Sequence, residues 1–182
     1  MQQLLPAFDS AWAFILLVLG FGFVIFVHEL GHFVVAKWVG IKCTQFAIGF
    51  GHSLLTWRQG IGFRVGTTEP EYDAKINAWV SERQQQFEEE DQRTEPAQRV
   101  TLAARKEQAR IALNLGETEY RLNWMPLGGY VKMLGQEDLN PDAASNDPRS
   151  FSAKPIWARA AVICAGVTMN LIFAVLFFIV AF

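Results

Sequence analysis

Lysine and arginine are missing from both ends of this 182-residue chain: all 16 lie between Lys37 and Arg159. The segment Met1 to Ser10 therefore lacks the basic start of a secretory signal. Between Ala160 and Phe182 there is no charged residue at all, and from Ala11 to Ala36 the only strongly polar side chains are His28, Glu29 and His32. Cysteine is scarce: Cys43 and Cys164 stand far apart and form no Cys-x-x-Cys pair, so no disulfide is expected. The net charge of -2 comes with no basic patch, which argues against a nucleic-acid partner. No internal repeat is present.

What the chain does have is two apolar runs, each longer than the roughly 20 residues needed to cross a ~30 Å hydrocarbon layer. A chain this short has too little protein left over to bury both as core helices of a soluble fold. The sequence predicts an α-helical integral membrane protein with two spans, residues 1–40 and 158–182. Lys37 and Lys42 follow the first span, and Arg149, Lys154 and Arg159 precede the second. The positive-inside rule then places the central region in the cytoplasm and both termini outside.

Between the spans, Phe46–Gly51 is apolar and glycine-rich, and Ile61, Phe63 and Val65 alternate with Gly62 and Arg64 as in a strand. Thr118, Tyr120, Leu122 and Trp124 share one face of a second alternating stretch, which Pro126 is expected to end. Leu127–Met133 is a candidate third strand. Residues 41–68 and 114–135 thus form a small antiparallel β-structure close to the membrane. Residues 69–113 read as a charged helical insertion, with Ile76, Trp79, Val80 and Phe87 as an apolar stripe. A second helix in it is expected to start at Thr94-Glu95-Pro96, with Thr94 as its cap, and to end near Asn114–Gly116. A polar linker, 136–157, leads back to the membrane.

One motif carries chemistry. His28-Glu29-Leu30-Gly31-His32 is a His-Glu-x-x-His pattern, and residues four apart share a helix face, so both imidazoles can bind one metal ion. Glu29 then sits beside the metal, placed to take a proton from an activated water and pass it to a leaving amine. Polar groups inside a span cost roughly 2.5–3.5 kcal/mol each when charged, and three together call for a function. The alternative is hydrogen bonding between helices by the two histidines. His32 and His28 lie five and nine residues before Lys37, so about 7 to 14 Å below the cytoplasmic surface. Hydrolysis there requires a water-filled recess.

These residues resemble the site-2 protease family of intramembrane zinc metalloproteases, and most closely its bacterial regulator-of-sigma-E branch. Four pieces carry the resemblance: Phe26–Phe33, Phe46–Gly51, Pro126–Met133, and Ala165-Gly166 with Asn170. It implies Zn2+ as cofactor, held by His28 and His32, with Glu29 as the catalytic residue. It also implies substrate-binding positions at Gly49, Phe50, Gly51, Gly128, Gly129 and Asn170. The family holds its substrate as an added strand, which fits the physics: a transmembrane helix must unwind to be cut, and a sheet edge replaces its lost hydrogen bonds. The implied partners are the lipid bilayer and a transmembrane substrate such as an anti-sigma factor, in the bacterial inner membrane. His52 and Val167 stand where the family has prolines. His52, on the cytoplasmic side of a short loop, reads as solvent-facing and not as a ligand.

The family's third ligand is an aspartate in a Leu-Asp-Gly motif of a later span, beyond PDZ domains. This chain has no Leu-Asp-Gly. Glu137 and Asp138 lie too near the surface to replace it. The expectation is a fragment, or one half of a split enzyme with a C-terminal half as partner. The other function classes left open are an intramembrane metal-binding or transport protein, and an inactive family member that binds membrane helices.

Overall fold

The computed structural model describes residues 4–94, 100–136 and 147–182, with side chains from Ala11 onward. Helix α1 runs unbroken over Leu4–Trp38. It stops where Gly40 takes a positive φ of 74°. The Gly40 N–H reaches Lys37 and the Ile41 N–H reaches Ala36, a Schellman ending that only the glycine makes easy. Helix α5, Ile156–Ala181, starts directly after Pro155. Both helices are long and apolar enough to cross a membrane. Their side chains point outward, with Leu17 68% and Leu171 66% exposed. A soluble core helix hides such residues, so outward-facing apolar spans make this a helical membrane protein.

The spans meet along small residues. A Cβ added to Gly31 would lie 2.5 Å from the Ala165 carbonyl oxygen and 2.9 Å from Met169 Cβ. Nothing larger than glycine lets the backbones approach this closely. Higher up, the Phe23 ring packs edge-on against Phe173 at 6.1 Å and Phe177 at 5.9 Å.

Between the spans lies a three-stranded antiparallel sheet in the order β2-β1-β3. Its strands are β1 (Cys43–Arg58), β2 (Gly62–Arg64) and β3 (Glu119–Met133). Pro126 was expected to end a strand and leave 127–133 as another. Instead β3 continues through it. Pro126 falls between Met125 and Gly129, the last paired residues on either side, so its missing N–H costs the ladder nothing. The bend lets β3 pair twice with β1: Phe46 faces both Tyr120 and Val131. Phe46 also seats β1 on α1, its ring 4.9 Å from Phe33 and 6.0 Å from Phe26.

The bend of β3 runs back along α1. A Cβ on Gly22 would be 2.7 Å from the Pro126 oxygen. Gly22 lies 15 residues before Lys37, about 22 Å along the helix axis, so the sheet penetrates further along the span than a surface position would require. Irregular backbone at that level is tolerated because it lies against protein.

The insertion contains α2 (Glu69–Glu82), α3 (Gln84–Arg93) and α4 (Leu102–Ala112). Arg83 breaks the stripe between α2 and α3, yet the Trp79 and Phe87 rings remain in contact at 6.1 Å. The second helix begins later than its sequence suggested. Thr94 takes an extended conformation that ends α3, while the Thr101 hydroxyl accepts from the Ala104 N–H at 3.3 Å and caps α4. Glu95 and Pro96 lie outside the described residues, as do Glu137, Asp138 and the rest of the linker up to residue 146. Ile76, Ala109 and Leu115 form a small core, joined by Ile61 and Trp79, that fastens the helices to the sheet.

Buried charge fixes the junctions. Glu119, fully buried, accepts from the Thr68 hydroxyl at 2.8 Å and the Thr67 hydroxyl at 3.0 Å, and pairs with Arg121 at 2.6 Å. Burial alone would raise its pKa; the bonds from Thr68 and Arg121 outweigh that and hold it below the ordinary carboxylate value. Glu117 joins Lys37, at the end of α1, to Arg149, while Glu107 of α4 pairs with Arg110 at 2.7 Å and Lys42 at 3.3 Å.

Candidate metal centre

One helical turn separates His28 from His32 on α1, and their Nε2 atoms stand 3.1 Å apart. Two nitrogens each ~2.0–2.1 Å from a tetrahedral zinc ion are about 3.3 Å apart, so the pair has the separation that shared metal ligands need. Helix α5 supplies the surroundings. His32 Nδ1 lies 2.6 Å from the Val162 carbonyl oxygen. A carbonyl only accepts, so Nδ1 carries the proton and the Nε2 lone pair is free for a metal. Asn170 Nδ2 lies 3.3 Å from His28 Nδ1.

Gly166 stands between these two contacts. A Cβ built there would sit 2.6 Å from both Nε2 atoms and from His28 Cε1. The glycine keeps open the space on which the two nitrogens converge, a cradle of the kind an ion fills. A free lone pair on His32, matched separation and an open cradle fit zinc. Among the described residues no cluster of three His, Cys, Asp or Glu forms around the pair. His52 is exposed in β1, away from them.

Glu29 and His32 border a recess of about 320 Å³, together with Tyr130, Val131, Met133 and Phe151. Gly129 of β3 lies against the carboxylate arm: a Cβ there would be 3.4 Å from Glu29 Cγ and 2.7 Å from the Ala47 oxygen. The same recess thus holds an acid/base candidate, one imidazole, and the outer strand of a sheet whose only neighbour among the described residues is β1.

The remaining residues singled out in the sequence lie at the bends. Gly49 and Gly51 have φ of 81° and 86°, and Gly128 has 100°. Phe50 is exposed and its ring stacks on Tyr130 at 6.2 Å, with Gly128 pressed against its edge. The structure therefore brings Gly129 to Glu29 and Asn170 to His28, while Gly49, Phe50, Gly51 and Gly128 shape the sheet that carries Tyr130. Sequence reasoning gave no role to two contributors, Gly166 and the Val162 carbonyl. The Val162 carbonyl has no side-chain signal, but the spacing 162, 166, 170 puts it on one helix face with two motif residues, opposite the 28, 32 spacing of α1.

The sequence profile of peptidase family M50 matches residues 16–68 and 101–182. The chain belongs to peptidase family M50. The two matched stretches of this M50 chain hold α5, all three strands, α4 and most of α1; they omit 69–100, which contains α2 and α3. A Clostridium acetobutylicum protein provisionally named a zinc metalloprotease is 31% identical over 169 residues, covering 93% of this chain and 32% of its own length. A Vibrio cholerae protein with the same provisional name is 30% identical over 92% of this chain and 25% of its own length. A third, from Clostridium perfringens, is 32% identical over 89% of this chain and 30% of its own length. The chain spans about a third or less of the curated relatives it matches. The resemblance to the site-2 protease family thus holds across most of the chain.

Proposed function

We propose that this chain is the N-terminal catalytic part of an intramembrane zinc protease of the regulator-of-sigma-E type. It cuts peptide bonds in transmembrane segments of membrane proteins such as anti-sigma factors. The observation that carries the reading is the convergence of the His28 and His32 Nε2 atoms on the Gly166 cradle, with Glu29 beside them at a recess bordered by β3.

When held by His28 and His32, zinc supplies a positive charge that polarises a peptide carbonyl and acidifies water. The chain's own residues do the rest. Glu29 carries the proton on its carboxylate, from water to the leaving amine. β3 offers its outer edge around Tyr130 and Val131 to an unwound substrate, whose peptide groups need new partners once its helix opens. Gly129 keeps that strand flush with Glu29, because any side chain there would push against the Ala47 oxygen. Phe50 and the glycines at 49, 51 and 128 hold the bend that aims the edge at the recess. The third metal ligand, by the resemblance, is an aspartate from a later span of the whole protein. In this reading the protein lies in the bacterial inner membrane, with its central region cytoplasmic and its N-terminus outside.

Glu29→Gln in the whole protein tests the assignment. Zinc content should stay at the wild-type level, because Gln replaces a base and not a ligand, while cleavage of a transmembrane substrate should fall to background. In an intramembrane metal transporter Glu29 would be a ligand, and the same change would lower metal binding. Equal cleavage by wild type and variant would end the proposed mechanism.

A further inference from the structure

Asn170 faces His28 from α5 with one of its two polar atoms unaccounted for. Its Nδ2 lies 3.3 Å from His28 Nδ1, while its Oδ1 is buried with no hydrogen-bond partner among the described residues. An amide N–H donates, so in that orientation His28 Nδ1 accepts and the imidazole proton sits on Nε2. Nε2–H then donates to His32 Nε2 at 3.1 Å, and His32 Nδ1–H donates to Val162. The chain of bonds is internally consistent but leaves His28 unable to ligate a metal. It also leaves the Asn170 carbonyl oxygen unsatisfied among the described residues.

A half-turn of the amide about Cβ–Cγ exchanges the two atoms and removes the obstacle to ligation by His28. Oδ1 then stands against His28 Nδ1, accepts its proton, and frees the Nε2 lone pair beside that of His32. We propose that Asn170 is a positioning residue whose side-chain oxygen holds His28 in its metal-binding tautomer, as the Val162 carbonyl holds His32. The inference rests on the metal reading of the histidine pair. It departs from the substrate contact that the family resemblance implies for Asn170. Residues 162, 166 and 170 recur every fourth position, so a single face of α5 carries one acceptor for each imidazole, with the Gly166 cradle between them. The second span is thereby part of the metal centre although it contributes no ligand.

Acceptor and donor roles for Asn170 separate with two substitutions. Aspartate is nearly isosteric with asparagine and only accepts; alanine does neither. Zinc affinity of the whole protein in detergent micelles would be measured by competition with a chromophoric chelator, next to His28→Ala. Ring nitrogen shifts of 15N-labelled His28 would report its tautomer. Asn170→Ala should weaken zinc binding roughly 10–100-fold, the usual effect of losing an outer partner of a ligating histidine, and shift the tautomer toward Nε2–H. Asn170→Asp should bind zinc at least as tightly as wild type, with the proton on Nδ1. Wild-type affinity in Asn170→Ala, or an Asp variant as weak as the Ala variant, would overturn the positioning role while leaving the metal site standing. Zinc affinity unchanged by His28→Ala would overturn the metal reading and this inference with it.

Discussion

Adding one methyl group at Gly166 separates the metal reading from an ordinary helix contact. The Cβ of Gly166→Ala would lie 2.6 Å from His28 Nε2, His28 Cε1 and His32 Nε2. Ordinary van der Waals contacts begin near 3.4 Å, so something must move by most of an ångström. The rings cannot swing aside freely, since His32 is bonded to Val162 and His28 faces Asn170. Forced overpacking of this kind costs about 1–3 kcal/mol. If all of it falls on the metal-binding arrangement, zinc affinity drops roughly 5- to 150-fold at 1.4 kcal/mol per tenfold. Gly20 on the other span, α1, provides the control, because a Cβ there meets nothing within 4 Å. Chelator competition in micelles should show Gly166→Ala binding zinc far more weakly than wild type, with Gly20→Ala unchanged. If Gly166→Ala binds zinc as well as wild type, the cradle is not where the ion sits, and the geometry argued from the two Nε2 atoms fails.

The junction of α4 with Lys42 and Arg149 should weaken in acid. The Arg110 hydrogen bond, helped by Lys42 and Arg149, pulls Glu107 down to about 2 from 4.5, so the unfolded chain takes up the proton first as pH falls. The stability Glu107 lends is complete above about 4.5 and is lost as pH falls toward about 2, which limited proteolysis of the insertion across that window would reveal. Cys43 is fully buried and burial pushes its thiol up to about 11, so it should resist maleimide at pH 7 in the folded protein and react only after denaturation.

Much of this fold is legible in the sequence because membrane insertion imposes a coarse rule. Two apolar runs of sufficient length announce α1 and α5, and three polar residues inside one of them announce the site. The local rules did less well where tertiary pairing overrides them. Pro126 reads as a strand terminator, yet β3 passes through it because the ladder has a gap there and β1 waits on both sides. Thr94 and Thr101 are both good caps by type, and only the backbone conformation around each decides between them. The roles of Gly166 and Val162 were beyond a reading of residue types, since one acts through an absent side chain and the other through its backbone. Both could have been suspected from the four-residue spacing that they share with Asn170.

That spacing also bears on why such a polar cluster survives in lipid. A histidine facing hydrocarbon is tolerable when its ring nitrogens have partners, and on α1 alone each imidazole could find only the other. Helix α5 changes the balance: the Val162 carbonyl takes one imidazole proton, Asn170 faces the other imidazole, and Gly31 against Ala165 brings the backbones close enough for both contacts. The helix contact and the metal centre are therefore one structure. A substitution that parts the spans without touching a histidine, such as Gly31→Ala against the Ala165 oxygen, should lower zinc affinity through the loss of those outer partners. If it leaves affinity intact, the histidines are oriented by α1 alone, and the part assigned to the second span is wrong.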